Sequence, residues 1–293
     1  MADWAQTARA LADFTERRVF FVGGAPRSGT TWLQLLLDSH PEISCAGEGL
    51  FRQHLADPLD VMVASWQQAV AEKNRDVFAE LEGYPPPVAT DADFLLAGAI
   101  LQSLARQSAG KPCRAVGEKT PENVFLFPRL KRLLPTARFV GMARDPRDVL
   151  ASAWHFFHRA RGAAEDDAAK VSFIQSALPS INAGTRAMLA LAEQYPTDCM
   201  LLTYERLLAD TVAEARELFR FLRVSDKAGL VADCAARSSF AALAGTREHG
   251  IAREGSFFRK GIAGDWRATF TPAMSDLILA ELDWAFPRFG WRP

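Results

Sequence analysis

Residues 19–37 have the sequence VFFVGGAPRSGTTWLQLLL. The first four residues are apolar and rich in β-formers, and two glycines follow them, which predicts a buried strand. From Thr30 onward, leucines recur at helical spacing as far as Pro41, which predicts a helix. A glycine-rich loop between a buried strand and an amphipathic helix is a setting in which backbone amides and a helix N-terminus bind phosphate. This stretch therefore predicts a phosphate-binding loop.

The loop fits the pattern Gly-x-x-x-x-Gly-x-Thr, beginning at Gly24, but it departs from the loop of nucleotide triphosphatases. Where those enzymes have Lys, this chain has Thr30, and the positive charge lies instead at Arg27. The apolar run 138–142 predicts a strand, and it leads to Arg144 rather than to an Asp that would hold Mg²⁺. Both departures favour an anion site without a metal and count against a metal-dependent kinase.

Beyond the loop, short apolar runs alternate with longer segments of helical period. The alternation predicts an α/β fold, in which a mainly parallel central sheet is flanked by helices on both faces. We expect one domain over residues 1–293, with a long functional loop at 238–264. The predicted strands are 19–22, 43–46, 138–142, 199–202 and one from Val116, and the predicted helices are 4–16, 30–40, 58–80, 91–108, 122–134, 145–158, 171–194, 210–222, 227–236 and 272–285.

Composition is that of an ordinary globular protein. Hydrophobic residues are 49% of the 293 residues and charged residues 24%, which excludes wholesale disorder. Lys and Arg number 34 against 35 Asp and Glu, so no basic excess supports nucleic-acid binding. The four cysteines form no Cys-x-x-Cys pair, and the sequence has neither an apolar signal region nor a run of roughly 18 apolar residues. We expect a cytoplasmic protein with no membrane span and no nucleic-acid partner.

The loop resembles one particular family. Its residues 26–33, PRSGTTWL, are similar to the 5′-phosphosulfate loop of sulfotransferases that use 3′-phosphoadenosine 5′-phosphosulfate (PAPS). Cytosolic members have Lys in place of Arg27, whereas many bacterial and tyrosylprotein members have Arg. The donor-binding residues that this resemblance implies are Arg27, Ser28, Gly29, Thr30, Thr31 and, stacked on the adenine, Trp32.

Two later blocks and one single position resemble the same family. Residues 144–152, RDPRDVLAS, are similar to its 3′-phosphate motif, in which an Arg and a Ser eight residues later hold the phosphate. Residues 259–267, RKGIAGDWR, are similar to its C-terminal segment, which closes over that phosphate. A Tyr after the strand 199–202 matches a position near the adenine. The binding residues that these matches imply are Arg144, Ser152, Tyr204, Arg259, Lys260 and Gly261.

The resemblance implies a reaction as well as a fold. PAPS is the implied donor, 3′-phosphoadenosine 5′-phosphate (PAP) the implied product, and no metal is required. A sulfuryl group would pass in line to a hydroxyl or amine of a small-molecule, carbohydrate or natural-product acceptor, whose proton a general base removes. Arg27 would lie beside the transferred group. A P-loop nucleotide kinase and a nucleotide-binding protein without turnover stay open as alternatives.

The identity of the base is the least determined part of the reaction. Cytosolic family members use a His in a Lys-Thr-His segment, but residues 118–121 here are Glu-Lys-Thr-Pro, so that mechanism does not transfer. Gly47-Glu48 resembles the Glu of tyrosylprotein and some carbohydrate sulfotransferases, and we expect Glu48 to be the base. Lys119 would neutralise the leaving oxygen or the sulfuryl oxygens. His54 is the reserve candidate for the base.

The acceptor site is expected in regions that vary within the family. These regions are about 48–66, 83–95, 154–170 and 238–258, and their aromatic side chains suit an apolar or aromatic acceptor. The aromatic residues are Phe51, Trp66, Tyr84, Phe94, Trp154, Phe156, Phe157, Phe240, Phe257 and Phe258. The short dimer motif of cytosolic members is not matched, so the oligomeric state is not predicted.

Overall fold

Parallel strands form the central sheet of the computed structural model, which describes residues 14, 18–158, 166–244 and 260–293. The strands are β1 (Arg18–Gly24), β2 (Ile43–Ser44), β3 (Ala115–Lys119), β4 (Arg138–Ala143) and β5 (Cys199–Thr203). Their order across the sheet is β2-β3-β1-β4-β5, and every neighbouring pair is parallel. The predicted α/β architecture is confirmed.

Helices cover both faces of the sheet. They are α1 (Thr30–Asp38), α2 (Asp57–Val77), α3 (Ala89–Gln107), α4 (Asn123–Leu133), α5 (Pro146–Ala153), α6 (Asp167–Gln194), α7 (Tyr204–Ala209), α8 (Thr211–Phe221), α9 (Ala228–Arg237), α10 (Phe240–Leu243), α11 (Pro272–Leu282) and α12 (Phe286–Phe289). Phe20 and Val22 of β1 pack under α1, α7, α8 and α9, whereas Val19 and Phe21 pack under α3, α4 and α6. Because successive strand residues point to opposite faces, β1 supplies both hydrophobic cores.

The strand order creates a switch point beside β1. The chain goes from β1 to β2 and β3 on one side, and then crosses to β4 and β5 on the other. In β1 and β4, Gly24 is aligned with Met142, so the loops that follow these two strands leave the sheet side by side. Ligands of open α/β sheets bind at such a point, outside the carboxyl ends of the strands.

A third apolar cluster joins the C-terminal part of the chain to the helix that follows β4. Leu150 of α5 packs with Ile174 of α6, and with Phe270 and Ile278 around α11. Each buried side chain of this size contributes about 1.5–3 kcal/mol. The cluster therefore holds residues 260–270 close to the switch point.

Several predicted elements differ from the observed ones. The helix predicted at 145–158 begins as expected, because the Asp145 side chain accepts a hydrogen bond from the Arg147 amide at 2.9 Å. From Trp154 to His158, however, the chain continues as a π-helical turn. The strand predicted at 43–46 is only β2. Within the loop predicted at 238–264 lies α10, and α7 was not predicted at all. The helix predicted at 4–16 lies outside the described residues, Phe14 apart.

No helix in the described ranges combines the length and the apolar character that crossing a membrane would require. The single domain over residues 1–293 stays a prediction.

Candidate functional site

Two positions around the loop between β1 and α1 have space for glycine only. Gly29 has φ +100°, and a Cβ atom there would lie 2.7 Å from a ring carbon of Tyr204. A Cβ atom at Gly24 would lie 2.3 Å from the carbonyl oxygen of Met142. Between them Arg27 has φ 73°, a left-handed conformation that is strained for a residue with a side chain. Strain of this kind is common at ligand sites.

The loop forms one wall of an open cleft at the switch point. The cleft brings together predicted donor-binding residues that are more than 200 positions apart in the sequence. Among its lining residues are Arg27, Gly29, Thr30, Thr31, Trp32, Arg144, Ser152, Tyr204, Lys260 and Gly261.

Two arginines connect the parts of the cleft. The Arg27 Nε lies 3.4 Å from the Ser152 hydroxyl oxygen, and the guanidinium lies 4.2 Å from the ring centre of Phe156. Arg144 donates to the carbonyl oxygens of Arg27, at 3.3 Å, and of Ile262, at 3.0 Å. Its guanidinium also lies 4.1 Å from the ring centre of Tyr204. The end of β4 is thereby bonded to both the loop and the C-terminal segment.

Two buried donors of this site have no hydrogen-bond partner within the described part of the chain. They are the Ser28 hydroxyl, in the loop, and the Nε of Arg144. Buried polar groups of folded proteins are almost always hydrogen-bonded, so an orphaned donor indicates a missing acceptor. Guanidinium and hydroxyl groups both bind phosphate oxygens well, and Arg144 lines the cleft, where it fits an anionic ligand.

The segment 260–266 closes one side of the cleft. Asp148, which is 1% exposed, accepts hydrogen bonds from the amides of Gly264, at 2.6 Å, and Trp266, at 2.9 Å. Lys260 Nζ donates to Asp265 at 2.6 Å. Arg259, the other cation predicted here, lies outside the described residues. Asp148 was not predicted as a site residue, although it lies within the block 144–152 that the sequence singled out.

Two aromatic residues also line the cleft. The rings of Trp32 and Tyr204 meet edge to face, with centres 5.4 Å apart. Trp32 Nε1 donates to the Ser238 carbonyl oxygen at 2.9 Å, which fixes the orientation of the indole. Burial raises the pKa of the Tyr204 phenol, so the hydroxyl stays neutral at physiological pH. This arrangement suits a flat ring such as a nucleobase.

The two residues expected to carry the reaction lie together at the carboxyl end of β3. Lys119 is 2% exposed, and its Nζ donates to the Thr31 hydroxyl oxygen at 3.1 Å and to the carboxylate of Glu48. The Glu48 side chain is 40% exposed, so a solute can reach it. Neither residue lines the cleft, and both reach its wall through Thr31. The structure therefore brings Glu48 and Lys119 to the phosphate loop.

The aromatic residues predicted for the acceptor site separate into packed and accessible groups. Phe51 and Trp154 are buried, so packing explains them, whereas Phe240 is buried and also lines the cleft. Phe156 and Phe157 are about 40% exposed and follow α5. The other predicted acceptor-site residues divide between those exposed on the surface, Trp66, Tyr84 and Phe94, and those outside the described residues, Phe257 and Phe258. In the described part of the chain, no group of His, Cys, Asp or Glu side chains is placed to hold a metal ion.

Comparisons with known proteins agree with the geometry of the site. The model of the sulfotransferase family matches residues 20–227. A putative protein-tyrosine sulfotransferase of Caenorhabditis briggsae is 28% identical over 72% of this chain and 67% of its own length. Protein-tyrosine sulfotransferase 1 of Danio rerio is 26% identical over 70% of this chain and 53% of its own length. The chain thus spans about half to two thirds of these relatives.

Solved structures show the same fold at lower sequence identity. A Mycobacterium avium sulfotransferase superposes with a TM-score of 0.56 and 14% identity, over 99% of this chain and 81% of that one. A mouse sulfotransferase complexed with PAP gives a TM-score of 0.56 and 16% identity, over 95% of this chain and 88% of that one.

Proposed function

This chain belongs to the sulfotransferase family, and from that membership we propose that it transfers the sulfuryl group of PAPS to the hydroxyl group of an acceptor. The observation that carries the proposal is the orphaned buried Nε of Arg144, a residue of a cleft that cations and hydroxyls line. When bound, PAPS supplies an activated sulfuryl group. The residues of this chain bind it, orient the acceptor and take up the acceptor proton.

Binding of the donor is divided between two groups of residues. Arg144, Ser152 and Lys260 would hold the 3′-phosphate, because a guanidinium, a hydroxyl and an ammonium among the lining residues are good phosphate donors. The loop amides, Arg27 and the hydroxyls of the first turn of α1 would hold the 5′-phosphosulfate, at a helix N-terminus that favours negative charge. Trp32 and Tyr204 would hold the adenine. Arg259, outside the described residues, stays a predicted ligand.

Acceptor activation is assigned to Glu48 and Lys119. The Glu48 carboxylate is solvent-accessible and can accept the proton of the acceptor hydroxyl. Lys119 donates both to this carboxylate and to Thr31, so its charge lies between the base and the phosphate loop. There it would offset negative charge that develops on the leaving oxygen.

We propose an acceptor whose hydroxyl is carried by an aromatic or apolar group. The accessible ring of Phe156 adjoins Arg27, and the ring of Phe157 packs against that of Phe156. The curated relatives described above are protein-tyrosine sulfotransferases. The broader expectation of a small-molecule or carbohydrate acceptor has no further support. The cytoplasmic location stays a prediction.

The donor site is tested by calorimetric titration with PAP, AMP and ATP in EDTA. We expect tight binding of PAP alone, because only PAP engages both phosphate-binding groups of the cleft. No binding of PAP in EDTA, together with ATP binding in a parallel titration that contains Mg²⁺, would instead support a nucleotide kinase.

The catalytic assignment is tested by sulfuryl transfer from radiolabelled PAPS to 4-nitrophenol, a tyrosyl peptide and a simple sugar. Glu48→Gln should retain PAP binding and lose transfer, whereas His54→Ala, at an exposed position of a π-helical turn, should keep both. An active Glu48→Gln beside an inactive His54→Ala would assign the base to His54. PAP binding with no transfer to any acceptor would favour a protein that has lost turnover.

A further inference from the structure

A buried carboxylate lies directly beneath the residues expected to carry the reaction. Glu118 of β3 is 2% exposed and precedes Lys119. Its Oε1 accepts hydrogen bonds from the Gly49 amide at 2.6 Å and the Thr120 hydroxyl at 2.5 Å, and its Oε2 accepts from Asn123 Nδ2 at 2.6 Å. A buried carboxyl group is tolerated only when hydrogen-bond donors surround it, as these three do.

The loop that these bonds hold is the one that carries Glu48. Gly47 has φ +66° and Leu50 has φ +52°, so the chain is left-handed on both sides of the Glu48–Gly49 pair. The Gly49 amide is bonded to Glu118, and the next amide, that of Leu50, is bonded to the Thr120 hydroxyl oxygen at 3.2 Å. A loop with a strained non-glycine residue keeps its shape only when surrounding bonds enforce it.

Adjacent residues of β3 thus hold this loop at two different places. Glu118 binds its backbone at Gly49, and Lys119 binds its side chain at Glu48. The nearby strand β1 anchors the network as well, because Asn123 Nδ2 also donates to the Val22 carbonyl oxygen at 3.1 Å. The position of the Glu48 carboxylate relative to the phosphate loop therefore depends on Glu118.

We propose that Glu118 is a positioning residue for the reaction, acting through Glu48 rather than on the substrate. The inference rests on the proposed function, in which Glu48 is the general base. Glu118 holds the backbone of the loop so that the Glu48 carboxylate stays against Lys119. A base displaced by about 1 Å loses on the order of a hundredfold in rate, so the contribution of this network is large enough to measure.

The first test is Glu118→Gln, which keeps the shape of the side chain but replaces one acceptor oxygen by a donor. We expect kcat to fall by about 10- to 100-fold, whereas KM for PAPS and Kd for PAP stay within about twofold. The matched control is Glu214→Gln on α8, which removes the charge of a largely buried carboxylate paired with Arg206. Glu214→Gln should leave kcat unchanged. An unchanged kcat in folded Glu118→Gln would overturn the inference.

A double variant separates positioning from general structural support. If Glu118 acts through Glu48, then Glu48→Gln and the double variant Glu48→Gln, Glu118→Gln should have the same residual kcat. A further loss in the double variant would mean that Glu118 acts by another route, and the inference would be wrong. A fully active Glu48→Gln would overturn the proposed base instead, which distinguishes the two failures.

Thr120→Val serves if Glu118→Gln does not fold. It removes the acceptor of the Leu50 amide and one donor to Glu118, with little change of shape. We expect kcat to fall several-fold with Kd for PAP unchanged. A kcat equal to that of the parent protein would count against the positioning role.

Discussion

The carboxylate of Asp148 holds the closing segment 260–266 against the first turn of α5 by hydrogen bonds. Replacing Asp148 by asparagine tests whether these hydrogen bonds support ligand binding. Both carboxylate oxygens accept backbone amides of the segment, and the Arg144 guanidinium lies 3.8 Å from one of them. Asparagine has the same shape, but its NH₂ group cannot accept from an amide. Asp148→Asn therefore removes at least one of the two bonds.

The size of the effect follows from the kind of bond that is lost. A hydrogen bond to a charged group contributes about 1.5–3 kcal/mol, and the Asp148 bonds are buried. If the closed segment is needed to bind PAP, then the closed state is disfavoured by that amount. Since about 1.4 kcal/mol corresponds to a tenfold change, Kd for PAP should rise by about 10- to 150-fold.

Calorimetric titration with PAP measures this Kd, and thermal denaturation checks that the variant is folded. The matched control is Asp198→Asn, which breaks a 2.7 Å ion pair with Lys131 just before the start of β5, at the amino end of the strands rather than the carboxyl end. The control should bind PAP as the parent protein does. A folded Asp148→Asn variant whose Kd for PAP stays within threefold of the parent value would refute the role of these hydrogen bonds in PAP binding.

Three further outcomes are expected. Arg27→Ala should lower kcat by on the order of a hundredfold in the PAPS transfer assay, because it removes a positive charge from the phosphate loop, and near-normal turnover would contradict this. Gly29→Ala should lower Tm and weaken PAP binding at least tenfold by calorimetry, because the new Cβ atom meets the Tyr204 ring at 2.7 Å and φ is +100°; a variant with unchanged Tm and Kd would show that the loop relaxes freely. Burial lowers the pKa of His40 below 6.5. As the solution becomes more acidic, the unfolded chain therefore binds more protons at this residue than the folded protein does. The His40 contribution to the free energy of unfolding accordingly decreases as pH falls through about 6.5. Denaturant titrations at pH 7.5 and 5.5 should show a smaller loss of stability in His40→Gln than in the parent, and equal losses would argue against a neutral buried His40.

The phosphate loop could be predicted from the sequence because its requirements are local. A buried strand, glycines where a side chain would clash or φ is positive, and an amphipathic helix each leave a pattern within a few residues. The N-terminus of α5 was predictable for the same reason, since Asp145 caps a helix whose first residue is Pro146. The two later blocks were found by resemblance, and of their predicted residues those within the described ranges line the same cleft.

The same sequence could not separate aromatic residues that pack from those that face solvent. Phe51 precedes the polar Arg52 and Phe156 follows the polar His155, yet the first is 5% and the second 39% exposed. Exposure depends on which helices cover a side chain, and no local pattern states this.

Sequence alone therefore determined the α/β class, the loop and the cations expected around it, since these depend on neighbours along the chain. Only the tertiary structure decided that β3 pairs with β1, which brings Lys119 and Glu48 to Thr31. It also decided the roles of Glu118 and Asp148, whose partners are 69 and 116 positions away. The role of a buried carboxylate depends on the hydrogen-bond donors that surround it, and long-range packing brings those donors together.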